Sequence, residues 1–203
     1  MGSHGDYLDR ICFGLARTRT RELTYFCPMN GMNGLYSPKR EEVLTSLATA
    51  RERGTLEWVR PLLEVFRDHP DESIRQEIGD ILGSLKISDA AAVFSDALED
   101  PEFEAIRADV ICFLWSCGFL HEDDLKAVVQ AAVEGDFRCV MEALTWVEEL
   151  EAVNDEHALL DALLMVRGRV EGEENEPDPT GSADCVPLLR DMLVSLQRLE
   201  RNQ

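Results

Sequence analysis

The sequence predicts an all-α protein of repeated helix pairs, arranged as an α-α superhelix. Three observations lead there. A unit recurs at a spacing of 32 between Asp68 and Phe119: Asp68, Glu72, Ile74 and Arg75 return as Asp100, Glu104, Ile106 and Arg107, and Ile78, Ile81, Leu82 and Leu85 return as Val110, Phe113, Leu114 and Cys117. Apolar doublets at i, i+1, i+4 and i+5 occur at Trp58/Val59/Leu62/Leu63, Val93/Phe94/Ala97/Leu98, Val128/Val129/Ala132/Val133, Leu159/Leu160/Leu163/Leu164 and Leu188/Leu189/Met192/Leu193, spaced by 35, 35, 31 and 29 residues. Long alternating Val/Ile/Thr runs are absent, which disfavours strands. A helix with one broad apolar stripe cannot bury it alone, so such units stack on their neighbours.

Residues 1–36 form an N-terminal extension. Asp6 to Arg17 reads as a short amphipathic helix with Leu8, Ile11, Cys12 and Leu15 on one side. Arg and Thr alternate from Arg17 to Arg21, a poor helix sequence, and Leu23 to Cys27 suits a short extended segment. Pro28 to Gly34 is predicted as a loop, because its two Asn-Gly pairs favour positive φ.

Residues 37–170 hold the repeats, about four helical hairpins. Ser37 is placed to cap the first helix, with Pro38 in its first turn and Gly54 at its end. Val43, Leu44, Leu47 and Ala48 form its apolar face. The doublet helices alternate with helices over Glu72–Lys86, Glu102–Gly118 and Asp136–Leu150, the last carrying Phe137, Met141, Leu144 and Val147. Residues 171–183 are acidic, with Pro177, Pro179 and Gly181 and no large apolar residue, and read as a flexible loop. Residues 184–203 supply a closing helix that caps the stack.

Asp68 with Ile74-Arg75, Asp100-Pro101 with Ile106-Arg107, and Phe137-Arg138 resemble the turn and second-helix signature of the HEAT-repeat family. In that family a turn Asp and a second-helix Arg stack into a hydrogen-bonded ladder. The resemblance therefore implies a structural ladder of Asp68, Arg75, Asp100, Arg107 and Arg138, with Arg40 at the head of the Arg row. The third unit departs from it, since Ala131 stands seven residues before Arg138 where the first two units have Asp. Such motifs specify architecture and not activity.

The chain has 203 residues, 45% of them apolar, enough for a single domain with its own core. No stretch approaches the roughly 20 apolar residues of a membrane span, and the N-terminus lacks a signal-peptide pattern. The net charge is −20, unevenly spread: residues 1–60 hold 9 Lys/Arg against 7 Asp/Glu, and residues 61–203 hold 11 against 33. A field of that sign repels phosphate backbones and favours a basic protein partner. Six cysteines without CxxC spacing read as buried apolar residues in a reducing cytoplasm.

No metal, cofactor or catalytic site is expected. The patterns GxSxG, HExxH, GxxxxGK[ST] and GxGxxG are absent. His121, Glu122, Asp123 and Asp124 diverge around a helix start, where acidic residues answer the helix dipole. His4, His69, His121 and His157 all fall near predicted termini or turns. Trp115 and Trp146 stand 31 apart in successive second helices, either as core or as candidate partner-binding residues in an aromatic anchor strip. The function expected is non-catalytic protein binding through an acidic surface, in one version as an inhibitor or immunity-type protein, by a monomer or weak homo-oligomer. The competing reading is a HEAT-like enzyme or enzyme-associated factor, of chromophore-attachment or nucleobase-modifying type.

Overall fold

The computed structural model describes residues 32–175 and 185–201, without the side chains of residues 173–175. The elements expected before Met32 lie outside the described residues, as does the acidic stretch 176–184. Among the described residues there are nine α-helices and no strand: α1 (Arg40–Arg53), α2 (Val59–Asp68), α3 (Glu72–Leu82), α4 (Ala90–Glu99), α5 (Arg107–Cys117), α6 (Leu125–Glu134), α7 (Phe137–Glu149), α8 (Glu156–Asn175) and α9 (Val186–Arg201). Short 3-10 turns at Asn33–Tyr36, Leu56–Trp58, Pro101–Ile106 and Glu122–Asp124 precede α1, α2, α5 and α6. Helix α2 packs on α3 and α4, α4 on α5 and α6, and α6 on α7 and α8; α1 meets α3, α5 meets α7, and α9 closes on α7 and α8. The buried apolar residues form one continuous cluster from Leu35 to Leu199.

Local sequence explains the helix ends. The carboxylates of Asp71, Asp100 and Asp136 accept the backbone N–H groups of Ser73 (2.9 Å), Glu102 (3.0 Å) and Cys139 (2.9 Å), satisfying first-turn donors that have no partner inside the helix. Gly118 ends α5 at φ 78°, a left-handed conformation in which a Cβ is strained.

Several elements differ from expectation. Helix α1 begins at Arg40, not at Pro38; Ser37 instead accepts the Lys39 N–H (3.2 Å) and donates to Glu42 (2.6 Å), closing a turn ahead of the helix. Ala48 of α1 is exposed, and Ala50 is buried in its place. Asn33-Gly34 forms a 3-10 turn without positive φ, and the reason for Gly34 is contact: a Cβ there would lie 2.2 Å from Ser46 Oγ. Helix α8 continues through residues 171–175, within the predicted loop, because Glu is a good helix former and the first proline beyond them is Pro177.

Two apolar stripes are only partly covered. Phe137 and Met141 of α7 are 49% and 40% exposed, while Cys139, Val140, Ala143 and Trp146 are buried with Val147. Helix α7 carries two overlapping apolar stripes, and its neighbours α5, α6 and α9 cover only the second. Leu160 and Leu164 of α8 are 51% and 53% exposed, because α6 and α9 cover only the first member of each doublet.

The Asp–Arg pairs implied by the family resemblance are partly displaced. Asp68 ends α2 and is held by its own neighbour Arg67 (2.6 and 2.7 Å). Arg75 pairs with Glu72 on α3. Asp71, the residue that caps α3, takes Arg40 instead, and Arg40 also reaches Ser73 (2.8 Å). Asp100 receives Arg60 (2.9 Å) rather than an Arg of the next second helix. Arg107 donates to the Leu98 carbonyl (3.2 Å) and to Glu134 (3.0 Å), and Arg138 donates to Asp109 (3.2 Å). Arg40, Arg60, Arg107 and Arg138 thus bridge elements 27–40 residues apart, but with carboxylates from caps and helix faces, while Arg75 stays within its own helix.

Arg107 is 14% exposed and ties the end of α4 to the end of α6. Arg107→Ala should therefore lower unfolding stability by about 1–3 kcal/mol, as expected for loss of a charged donor to a half-buried carbonyl; denaturant titration checks this.

Asp124 is buried, accepts from Ser95, and leaves Oδ2 without a partner. Burial pushes its carboxyl above the usual carboxylate range, against the pull of the Ser95 hydroxyl bond. A folded-state pKa raised above the unfolded one gives stability that is present at low pH and lost as pH rises through the folded value. Asp124→Asn should raise Tm at about pH 7 and leave it nearly unchanged at about pH 3; thermal scans at the two pH values decide it.

Candidate protein-binding face

Adjacent helices α5 and α7 present a continuous surface. On α5 it carries Asp109, Cys112, Trp115 and Ser116, and on α7 Phe137, Arg138, Met141, Glu142 and Thr145, spaced three or four apart so that each set shares a side. Two polar links lock the helices together. Arg138 bridges to Asp109, and the Trp115 indole N–H donates to Glu142 Oε2 at 2.9 Å. Glu142 is buried, so this bond satisfies a carboxylate already withdrawn from water.

The surface extends onto α9. Arg198 donates to the Glu148 carbonyl at 3.1 Å, and Val194, one turn earlier on α9, is 60% exposed beside it. Phe137, Met141 and the half-buried Leu144 follow i, i+4, i+7 spacing along the outer side of α7. Asp136, Glu148 and Glu149 at the two ends of α7 and Asp191 on α9 are exposed carboxylates of the same helices, with Arg138 and Arg198 among them.

The two tryptophans part company here. Trp146 is 0% exposed, and its indole N–H donates to the Phe119 carbonyl at 3.1 Å, so it is core. Trp115 is half-buried at the edge of the surface. The exposed apolar groups are Phe137 and Met141, two of the four apolar residues that the sequence sets along this helix. Their signal was the second stripe of α7, legible in the spacing but not its orientation.

The remaining chemistry-bearing residues are engaged or neutral. Burial, then the neighbouring Glu142, pushes the Cys112 thiol up to about 11; burial, then Asp136, does the same to Cys139, and burial raises Cys117. Thiols so placed are protonated at neutral pH, which does not suit a nucleophile. His69 Nδ1 accepts the Asp71 N–H at 3.0 Å. Glu122 accepts the Asn154 N–H and Nδ2–H, while Asp124 turns inward to Ser95. Among the described residues no group of three or more His, Cys, Asp or Glu is placed to hold a metal ion.

A cavity of about 570 Å³ opens beside α1, lined among others by Leu35, Tyr36, Arg40, Glu64, Asp71 and Ile74. The Tyr36 hydroxyl donates to Glu64 at 2.6 Å; burial and this bond push its pKa up to about 12. Arg40 is taken by Asp71, so these polar groups face each other instead of converging on a ligand.

Comparison with family models, with curated proteins and with solved structures gives no match. Among the described residues, no helix is long and apolar enough to cross a membrane.

Cys112 and Cys139 should react with iodoacetamide at least about tenfold more slowly in the native protein than in denaturant at near-neutral pH. Site-resolved mass spectrometry reads the two rates; equal rates would reveal an accessible thiolate.

Proposed function

We propose that the chain is a HEAT-like α-α superhelix that binds a basic protein partner, without catalysis, through the face of α5, α7 and α9. The observation that carries this reading is the exposed pair Phe137 and Met141, on a helix otherwise well packed that also exposes Arg138, Glu148 and Glu149. An aromatic and a flexible apolar side chain within a charged border are the usual make-up of an interface hot spot. The surplus of 33 Asp/Glu over 11 Lys/Arg after residue 60 selects a basic partner and speeds its approach. An inhibitor or immunity-type protein covering a basic toxin or nuclease is the version that this charge fits. A reducing, cytoplasmic setting accords with the free thiols of Cys112, Cys117, Cys139 and Cys185.

The test is capture of a basic protein from the native host by the full chain, followed by binding kinetics on the purified pair. Phe137→Ser with Met141→Ser should keep the helical spectrum and weaken binding by at least about 30-fold, the effect of losing a hot spot. Association should slow as salt rises, since exposed charges are screened beyond about 8 Å at physiological strength. Undiminished affinity in the double variant, or an association rate indifferent to salt, would overturn the proposal.

A further inference from the structure

We propose that two copies of this chain pair through α8, antiparallel and centred on Leu164. Isolated exposed leucines are ordinary; the neighbours of these two are what single them out. Leu160 and Leu164 are 51% and 53% exposed on the side of α8 that turns away from Leu159, Ala162, Leu163 and Val166. The same ridge continues at four-residue steps with Gly168 and Gly172, both exposed. A Cβ added at either glycine would meet nothing within 4 Å. One half of the ridge is therefore bulky and the other half empty.

Such a ridge fits its own antiparallel copy. Ridges formed by i±4 rows interdigitate when helices cross, and a two-fold axis makes one patch contact itself. With Leu164 on the axis, residues equally distant from it on either side face each other across the pair. Leu160 of one copy then lies over Gly168 of the other. Asp161 and Arg167, three residues to either side of Leu164, fall opposite each other. Within one helix they stand six apart and do not meet. Both are exposed, and neither forms an ion pair with another described residue. The second copy supplies the missing partner twice over. This surface lies on α8, apart from the α5–α7–α9 face proposed above, and does not rest on that proposal.

Sedimentation equilibrium of the full chain at physiological salt tests the pairing. The wild type should pass from monomer to dimer with a dissociation constant on the order of 10 µM, as a contact of one helix per copy allows. Leu164→Glu, an exposed position, should keep the helical spectrum and stay monomeric. Asp161→Arg and Arg167→Asp should each weaken the dimer at least about tenfold, because each sets like charges face to face. The double exchange should restore wild-type association to within about threefold, as the charge pair is then reversed and whole. A wild type that is monomeric up to about 200 µM, an unaffected Leu164→Glu, or a double exchange as weak as the single changes would each overturn the proposal. The last result would locate the contact in another register or on another face.

Discussion

Phe113 stands where three helices meet, and the rest of the packing depends on that junction. Its ring meets Phe66 of α2 edge-on, with centroids 5.5 Å apart and planes at 75°, and lies 5.9 Å from Phe94 of α4. Phe94 in turn lies 6.2 Å from Phe119, just beyond the left-handed Gly118 that ends α5. Helix α5 buries Ala108, Val110, Ile111, Phe113 and Leu114, which point to several sides of the helix. A helix of that kind is stable only when enclosed. Helix α4 and the Pro101–Ile106 turn close one part of it and α7 another. Once α7 is fixed against α5, α6 and α9 have their places, and α8 follows between those two.

Polar contacts set register more than they add stability. Most Arg–carboxylate bridges between helices are well exposed, and such pairs contribute about 0–1 kcal/mol each. The bonds that count are those whose loss would strand a buried group. The Trp146 indole to the Phe119 carbonyl and the Trp115 indole to Glu142 are of this kind. Both tie a second helix to the preceding unit, so a shift of one residue would break them together. Arg60 and Arg67 add a third device, each stacking its guanidinium 5.2 Å from the Phe103 ring and holding the turn before α5.

Helices were legible in the sequence because their stripes are regular, and orientations were not because several stripes are ambiguous. The doublets at Trp58/Val59 and Leu62/Leu63 are buried throughout, since α2 has neighbours on both flanks of its stripe. The doublets of α8 follow the same pattern, yet half of each faces outward, because only α6 and α9 pack against this helix. Periodicity does not carry that information. For α7, Phe137 and Met141 compete with Val140, Ala143 and Trp146 for the inner side, and the larger, better-connected set wins. The displaced Arg pairing has a local cause as well. In the second unit Asp100 is both the repeat-equivalent carboxylate and the cap, whereas in the first unit the equivalent residue is Asp68 and the cap is Asp71, so the two roles fall on different residues.

The residues that escaped the sequence reading are also the ones that carry the functional proposals, and this follows from one cause. An apolar residue on a regular stripe is expected inside; when no neighbouring helix covers it, it remains available to a partner. Phe137 and Met141 on α7 and Leu160 and Leu164 on α8 arise in this way on different helices. Their surroundings then separate their uses. The α7 pair lies in the part of the chain where Asp and Glu outnumber Lys and Arg by 33 to 11, which suits a foreign basic surface. On α8, Leu164 sits between Asp161 and Arg167, balanced in sign, and the glycines further along the helix accept the bulk of a second copy. Two copies joined at α8 would carry two α7 faces on one rigid body. A partner that is itself multimeric would then be held at both, and the second contact forms at the high effective concentration set by the first. A self-pairing too weak to persist alone would be strengthened by such a partner, since each equilibrium draws on the other.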